Sequence, residues 1–247
     1  MIDYNQYVYT RNEVLRYGML GGMVGFVLFL LFYDSVIVGG VLALLFAIAF
    51  LSYYRRVCVE QRRWTLTVQF KDAMESLVSA LVAGYSLENA VVEARKDLCM
   101  MYEPDAIIMQ EFEYMISKIQ LKVSVEALVQ DLGKRSGVED IITFGEILST
   151  AKRTGGNIAQ VMRQTSGNIA EKIEIKREME TLIAGKRMES RFMTAIPLLM
   201  IVYLRFFSPG FLDPLYHNIT GVLIMTVALV VYVVAFLWGQ KIMAIQF

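Results

Sequence analysis

The segment Tyr17–Tyr54 has the sequence YGMLGGMVGFVLFLLFYDSVIVGGVLALLFAIAFLSYY and carries a single charged residue, Asp34. A helix needs about 20 apolar residues to cross about 30 Å of hydrocarbon. The segment is too long for one such span, so Asp34-Ser35 predicts a tight turn between two membrane helices. We expect these spans over Tyr17–Tyr33 and Val36–Tyr54.

Two further apolar runs, Phe192–Phe207 and Thr220–Trp238, flank the connection SPGFLDPLYHNI. The whole chain of 247 residues is 56% hydrophobic. Soluble domains rarely reach that balance. The sequence therefore predicts a multi-pass membrane protein with two N-terminal and two C-terminal transmembrane helices.

Charged residues are concentrated between Arg55 and Arg191, a segment that holds 20 of the 24 basic and 20 of the 24 acidic side chains. Basic residues also flank this segment at the ends of the spans, whereas the two short hairpin turns contain no Lys or Arg. Because cytoplasmic loops carry the excess of Lys and Arg, we expect both termini and the middle segment to lie in the cytosol. The net charge of zero suggests no nucleic-acid partner.

The charged middle segment has helical periodicity throughout and no strand alternation. Phe70, Met74 and Leu77 recur at helical spacing, and Ser86 and Ser124 stand where N-caps open later helices. The similar starts YSLENAV and VSVEALV indicate a weak internal repeat of helix pairs. We therefore predict an all-α fold in which the membrane helices flank a cytosolic six-helix bundle.

This prediction divides the chain into five parts by residue number. They are a cytosolic leader (1–16), a transmembrane hairpin (17–54), a cytosolic helical domain (55–191), a transmembrane pair (192–238) and a cytosolic tail (239–247).

The stretch AKRTGGNIAQVM, Ala151–Met162, has two glycines that could form a phosphate loop or a joint between helices. A phosphate-binding loop of the Walker type needs Lys followed by Ser or Thr after the glycines, and a preceding strand. Neither is present here. We therefore predict a joint in which Gly155 and Gly156 break the helix and Asn157 caps the next one.

Residues for catalysis or metal binding are scarce. The single histidine, His217, excludes a histidine-based triad and a histidine-rich metal site. Cys58 and Cys99 lack metal-ligand spacing, and we expect both to be reduced and buried. The carboxylates lie on amphipathic helices, where a solvated face is the usual outcome. The sequence therefore predicts a protein that is not an enzyme and has no cofactor.

Two features lie within the predicted spans. Four glycines of the first span follow small-x-x-x-small spacing, which lets helix backbones approach closely in lipid: Gly18, Gly21, Gly22 and Gly25. They could dock on another subunit or copy, or pack against the second span. In the third span, Arg205 is expected to reach the interface or pair with Asp213, and Pro197 predicts a kink.

Three stretches resemble the TadB-type proteins of tight-adherence (Flp) pilus systems, which belong to the type II secretion F-domain (GspF/PilC-like) family. They are LVAGYSLENAV at Leu81–Val91, EILSTAKRTGGNIAQVM at Glu146–Met162, and LIAGKRMESRFMTAIPLLMIVYLRFFSPGFLDPLYHNITGVLIM at Leu182–Met225. Many family members have Gly-Glu where this chain has Ala151-Lys152, so no cation site carries over from that acid.

The resemblance implies a non-enzymatic platform in the plasma (inner) membrane, at the base of a pilus or a type II-like secretion machine. Its partners would be a cytosolic hexameric secretion ATPase (TadA/CpaF-type), a sister platform protein (TadC-type), pilin subunits and membrane lipid, in a homo- or hetero-oligomer. A helix from Asn157 to about Pro197 would be ~60 Å long and could carry motion to the membrane.

Two pairs of basic residues at expected helix ends are candidate partner contacts: Arg95-Lys96 and Lys152-Arg153. The sequence leaves two alternatives to the platform role. One is a small-molecule transporter or channel subunit, which would need polar side chains along a path. The other is the TadC-type sister subunit, against which the SPGFLDPLYHN hairpin argues.

Overall fold

The computed structural model of the chain describes Tyr4 and residues 11–154, 157–208, 210–216 and 218–243. For Arg11 and Met243 the backbone is described but the side chain is not. The predictions for Gly155, Gly156 and His217 lie outside the described residues. Within the described ranges the chain is helical and contains no strand, which confirms the all-α prediction.

The helices are, in chain order, α1 (Arg11–Tyr33), α2 (Val36–Val82), α3 (Leu87–Met101), α4 (Ile107–Gln120), α5 (Val125–Ser136), α6 (Glu139–Thr154), α7 (Ile158–Phe207), α8 (Asp213–Tyr216) and α9 (Ile219–Met243). Four of them, α1, α2, α7 and α9, are long and apolar enough to cross a membrane. They fit a multi-pass membrane protein.

The helices divide into two compact units. The first, which we call the helical unit, comprises Met1–Val8 and Arg55–Lys176, and the second, the apolar unit, comprises Tyr9–Tyr54 and Arg177–Phe247. Because α2 and α7 run past these limits, each contributes residues to both units.

Local sequence sets where the helices of the helical unit begin and end. Gly84 has a φ of +93°, a left-handed conformation that ends α2. Ser86 then caps α3, because its Oγ accepts a hydrogen bond from the Asn89 N–H at 3.4 Å. Asn157 caps α7 in the same way, since its Oδ1 accepts from the Gln160 N–H at 3.1 Å. The predicted N-caps at Ser86 and Asn157 are confirmed.

The core of the helical unit consists of apolar side chains at helical spacing. Phe70, Phe112 and Phe144 are each at most 2% exposed. The rings of Phe70 and Phe144 meet edge to face with centroids 5.5 Å apart. Full burial of such a side chain stabilises the fold by roughly 1.5–3 kcal/mol.

The apolar unit has the opposite distribution of side chains. Met19 is 70% exposed, Phe206 77% and Ile219 90%, whereas its buried cluster is centred on Phe32 and Met225. Large apolar side chains on the outside of several helices are what a lipid environment requires.

Two sequence predictions about the helical unit are wrong. Arg95 and Lys96 do not stand at a helix end, because α3 continues to Met101. Cys99 is exposed rather than buried, since the inner face of α3 is formed by its neighbours at positions such as Leu98.

Candidate functional site

At one end of the helical unit, most of its helix termini lie around Lys152. The Lys152 Nζ lies 2.6 Å from Glu126 Oε1 and 3.9 Å from Glu88 Oε1. These contacts join the last turn of α6 to the first turns of α3 and α5. Because the connections from α2 to α3 and from α4 to α5 are only four residues long, the ends of α2 and α4 lie here as well. We call this region, residues 82–88, 120–126, 152–154 and 157–158, the joint end.

The contacts of Lys152 relate the two halves of the proposed repeat. Glu88 is the second residue of α3 and follows Ser86, and Glu126 is the second residue of α5 and follows Ser124. Each carboxylate therefore stands in a first helical turn, where the positive end of the helix favours negative charge. A single ammonium group binds both equivalent positions, which ties the two helix pairs together.

The Glu126 carboxylate and the Lys152 ammonium group stabilise each other in their ionised forms. Burial alone would raise the pKa of Glu126, but the close contact with the Lys152 ammonium group, together with donors at the helix start, lowers it below its ordinary value. The same contact raises the pKa of Lys152. Both groups therefore remain charged at neutral pH.

Exposed apolar side chains surround the ion pair at the joint end. Val82 is 61% exposed, Tyr85 47% and Leu121 70%. Lys122 and Arg153 are exposed beside them, and Lys122 has a left-handed φ of +64° at the end of α4. A surface that combines aromatic, aliphatic and cationic groups suits contact with another protein.

The other predicted contact residues are engaged differently. On α3, Arg95 pairs with Glu113 of α4 at 3.5 Å, and Lys96 pairs with Glu93 on its own helix at 2.7 Å. Within the described ranges, Arg153 makes no ion pair. The structure does not bring Arg95-Lys96 and Lys152-Arg153 into one cluster. Lys152 contacts Glu88 at the start of α3, whereas Arg95 and Lys96 lie further along that helix.

The helical unit contains a buried polar network that could not be predicted from the local sequence, because its members are far apart along the chain. The Tyr4 hydroxyl donates to Glu111 Oε1 at 2.7 Å, and Arg135 donates to both oxygens of Glu111, at 2.9 and 2.6 Å. Arg135 also donates to Asp131 at 2.7 Å. The hydrogen bond to Glu111 raises the pKa of Arg135, and burial raises the pKa of Tyr4. The network anchors the N-terminal Tyr4 to α4 and α5.

In the apolar unit, Arg205, the charged residue of the predicted third span, has a partner. Arg205 forms an ion pair with Asp34 and donates to the carbonyl oxygen of Leu30 at 3.3 Å. The Tyr216 hydroxyl donates to the carbonyl oxygen of Leu31 at 2.7 Å. Arg205 therefore joins α7 to the end of α1, through a partner that the sequence did not suggest.

The glycines of α1 lie against α2. A Cβ added at Gly21 would lie 2.8 Å from the Phe50 ring, and one at Gly25 would lie 2.9 Å from the Phe46 ring. The added Cβ would also lie 3.8 Å from Leu51 at Gly18 and 3.9 Å from Ala47 at Gly22. These contacts favour packing within the hairpin over docking on another subunit.

At Pro197, where a kink was predicted, α7 remains helical on both sides. No group of three or more metal-ligating side chains occurs in the part of the chain that the structure describes.

No family model, no curated protein and no solved structure matches this chain.

Proposed function

We propose that the chain is a non-enzymatic membrane platform subunit of a type IV (Tad/Flp) pilus or type II-like secretion machine. In this role it couples a cytosolic secretion ATPase to the extraction of pilins from the membrane. The observation that carries the proposal is the arrangement of the chain. Along the chain, a charged helical unit with its own core comes between an N-terminal and a C-terminal pair of long apolar helical segments.

The proposed topology has four membrane spans, a cytosolic six-helix bundle and both termini in the cytosol. The Lys and Arg residues at the span ends support this orientation. The bundle would comprise the end of α2, helices α3 to α6 and the start of α7.

The proposed mechanism is mechanical transmission through α7. This helix is capped by Asn157 and continues through Lys176 and Arg177, the residues at which the two units meet along the chain. A continuous helix can transmit displacement along its axis, since backbone hydrogen bonds join its successive turns. Movement imposed on the helical unit would thereby reach the membrane helices that handle the pilin.

The joint end is the surface that we assign to the ATPase. It presents Arg153 and Lys122 beside exposed Leu121 and Tyr85, and α7 begins there. The Lys152–Glu126 ion pair holds the helix ends beneath this surface. A partner that docks at this end would act directly on the start of the transmitting helix.

The test is to insert Gly-Ser-Gly-Ser into α7 after Ala184 and to count surface fibres by electron microscopy. The matched control carries the same insertion after Glu103, in the connection between α3 and α4. We expect the α7 insertion to abolish fibres without reducing membrane insertion, and the control to retain them. Normal fibres from the α7 variant would contradict the proposal.

A further inference from the structure

A groove of about 750 Å³ lies between α7 and α9, and both of its walls belong to the apolar unit. On α7 it is lined from Arg187 to Leu198, and on α9 from Tyr232 to Gln240. Its volume falls in the range of about 300–1,000 Å³ that is usual for sites that hold small molecules.

The two ends of the groove differ in chemistry. Arg187, Ser190 and Arg191 line one end of the α7 wall, whereas Pro197 and Leu198 line the other. Ten residues separate Arg187 from Pro197, which is about 15 Å along a helix. The groove therefore runs from a cationic mouth to an apolar interior.

The cationic mouth is available to bind a ligand. Arg187 and Arg191 are exposed and four residues apart on one face of α7. Neither makes an ion pair with any residue that the structure describes, whereas the neighbouring Lys186 pairs with Glu189 at 2.9 Å. Two guanidinium groups on one face can bind a phosphate through several charge-assisted hydrogen bonds.

The walls of the groove are fixed by contacts within the unit. The Tyr232 hydroxyl donates to the carbonyl oxygen of Thr194 at 3.0 Å and joins α9 to α7. At the mouth, the Tyr53 hydroxyl donates to Gln240 Oε1 at 3.2 Å. The small Gly239 leaves room beside Ser190, since a Cβ there would lie 3.9 Å from the serine Oγ. The groove thus has polar groups at its mouth and defined walls.

We infer that this groove binds an anionic phospholipid, with the phosphate at Arg187 and Arg191 and an acyl chain along the apolar interior. Arg191 immediately precedes the apolar run Phe192–Phe207, so the two guanidinium groups stand at the level of the headgroups. A zwitterionic lipid also carries a phosphate, but its cationic group would meet two unpaired arginines. The site therefore discriminates by net headgroup charge.

The experiment uses the purified full-length chain in detergent, mixed with equal amounts of phosphatidylglycerol and phosphatidylcholine that have the same acyl chains. Native mass spectrometry counts the lipids retained. The variants are the double substitution Arg187→Gln/Arg191→Gln and the charge-matched control Arg177→Gln/Lys186→Gln. A third variant, Ala235→Phe, keeps both arginines and fills the groove from α9.

We expect the unmodified chain to retain phosphatidylglycerol about tenfold over phosphatidylcholine, because the choline ammonium of phosphatidylcholine would be repelled by Arg187 and Arg191. The double arginine variant should lose that preference, the control should keep it, and Ala235→Phe should reduce retention of both lipids.

Equal retention of both lipids by the unmodified chain would overturn the inference. So would an equal loss of preference in the control, which would indicate general surface charge. If Ala235→Phe leaves retention unchanged, the lipid is bound elsewhere and the inference fails. A chain that retains neither lipid would also overturn it.

Discussion

The helical unit and the apolar unit are both all-helical, yet they distribute their side chains in opposite ways. In the helical unit, large apolar residues such as Phe144 are buried and most charges face outward. In the apolar unit, large apolar residues such as Phe206 face outward, and the ion pair between Arg205 and Asp34 joins two helices. The difference fits a multi-pass membrane protein, because water excludes apolar surface whereas lipid does not.

The comparison also shows which forces hold each unit together. In the helical unit the hydrophobic effect supplies most of the stability, and polar networks fix the positions of helix ends. If the apolar unit lies in lipid, bringing its helices together yields little hydrophobic gain, so we expect close packing at Gly21 and Gly25 and a few polar contacts to supply most of its stability. Identical substitutions should therefore have unequal effects in the two units.

The largest contrast is expected for the same truncation in each unit. Phe144→Ala should lower the free energy of unfolding by about 3–5 kcal/mol, because it leaves a cavity beside Phe70. Phe206→Ala, at a side chain 77% exposed, should change it by less than about 0.5 kcal/mol. Unfolding of the full chain in mild detergent by denaturant titration measures both. Equal losses would remove the contrast between the units.

A smaller effect is expected from the buried network of the helical unit. Glu111→Gln should lower the free energy of unfolding by about 2 kcal/mol, since Arg135 loses the carboxylate that pairs with it at 2.6 Å. The matched control is Glu113→Gln, two residues away, whose side chain is 73% exposed in its pair with Arg95. That control should have almost no effect. Similar losses in the two variants would show that burial does not govern the strength of these pairs.

The polar contact of the apolar unit can be measured by a double-mutant cycle. Arg205→Gln and Asp34→Asn, singly and together, should give a coupling energy of about 1 kcal/mol, a value limited by the partial exposure of both side chains. The measurement is unfolding in detergent at fixed lipid content. Additive effects would mean that the pair contributes nothing to joining α1 and α7.

The smallest effect is expected at the joint end, where it should depend on pH. Lys152→Met should lower the free energy of unfolding by about 0.5 kcal/mol at pH 7, a figure reduced because the ammonium group is nearly half exposed. The folded-state pKa of Glu126 is lowered, so its contribution is present above the ordinary value of 4.5 and is lost as the pH falls through the lowered pKa.

The pKa of Lys152 is shifted in the opposite direction. Because it is raised, the stabilisation from the Lys152 charge is present below the ordinary value of 10.5 and is lost only as the pH rises through the raised pKa. Unfolding curves from pH 3 to 8 test the acidic limb, with Arg153→Met as the control for loss of one positive charge. A difference between Lys152→Met and the unmodified chain that persists undiminished at pH 3 would contradict the assigned ion pair.

Local features of the sequence were sufficient to predict the helical class, the apolar helices and the caps at Ser86 and Asn157. These features depend on periodicity and on hydrogen bonds between residues close in sequence. The position of Arg95-Lys96 was predicted wrongly because a basic pair on the solvent face of a helix resembles one at its end.

The polar contacts could not be predicted, because their partners are distant in the sequence. Asp34 and Arg205 are separated by 171 residues, and Tyr4 and Glu111 by 107. Lys152 was identified as a candidate contact, but its binding to Glu88 and Glu126 depends on how three helices pack. The groove between α7 and α9 also requires tertiary structure, although the basic residues before Phe192 are evident in the sequence.

The most direct test of the proposed function is site-specific photocrosslinking in cells that produce the fibre. A photoreactive residue replaces Arg153 at the joint end, and the control probe replaces Met100, which is 86% exposed and lies about 20 Å along α3 from its start. Captured proteins are identified by mass spectrometry. The account predicts that a secretion-type ATPase is captured from Arg153 and not from Met100. Capture from neither position while fibres are being assembled, or equal capture from both, would contradict it.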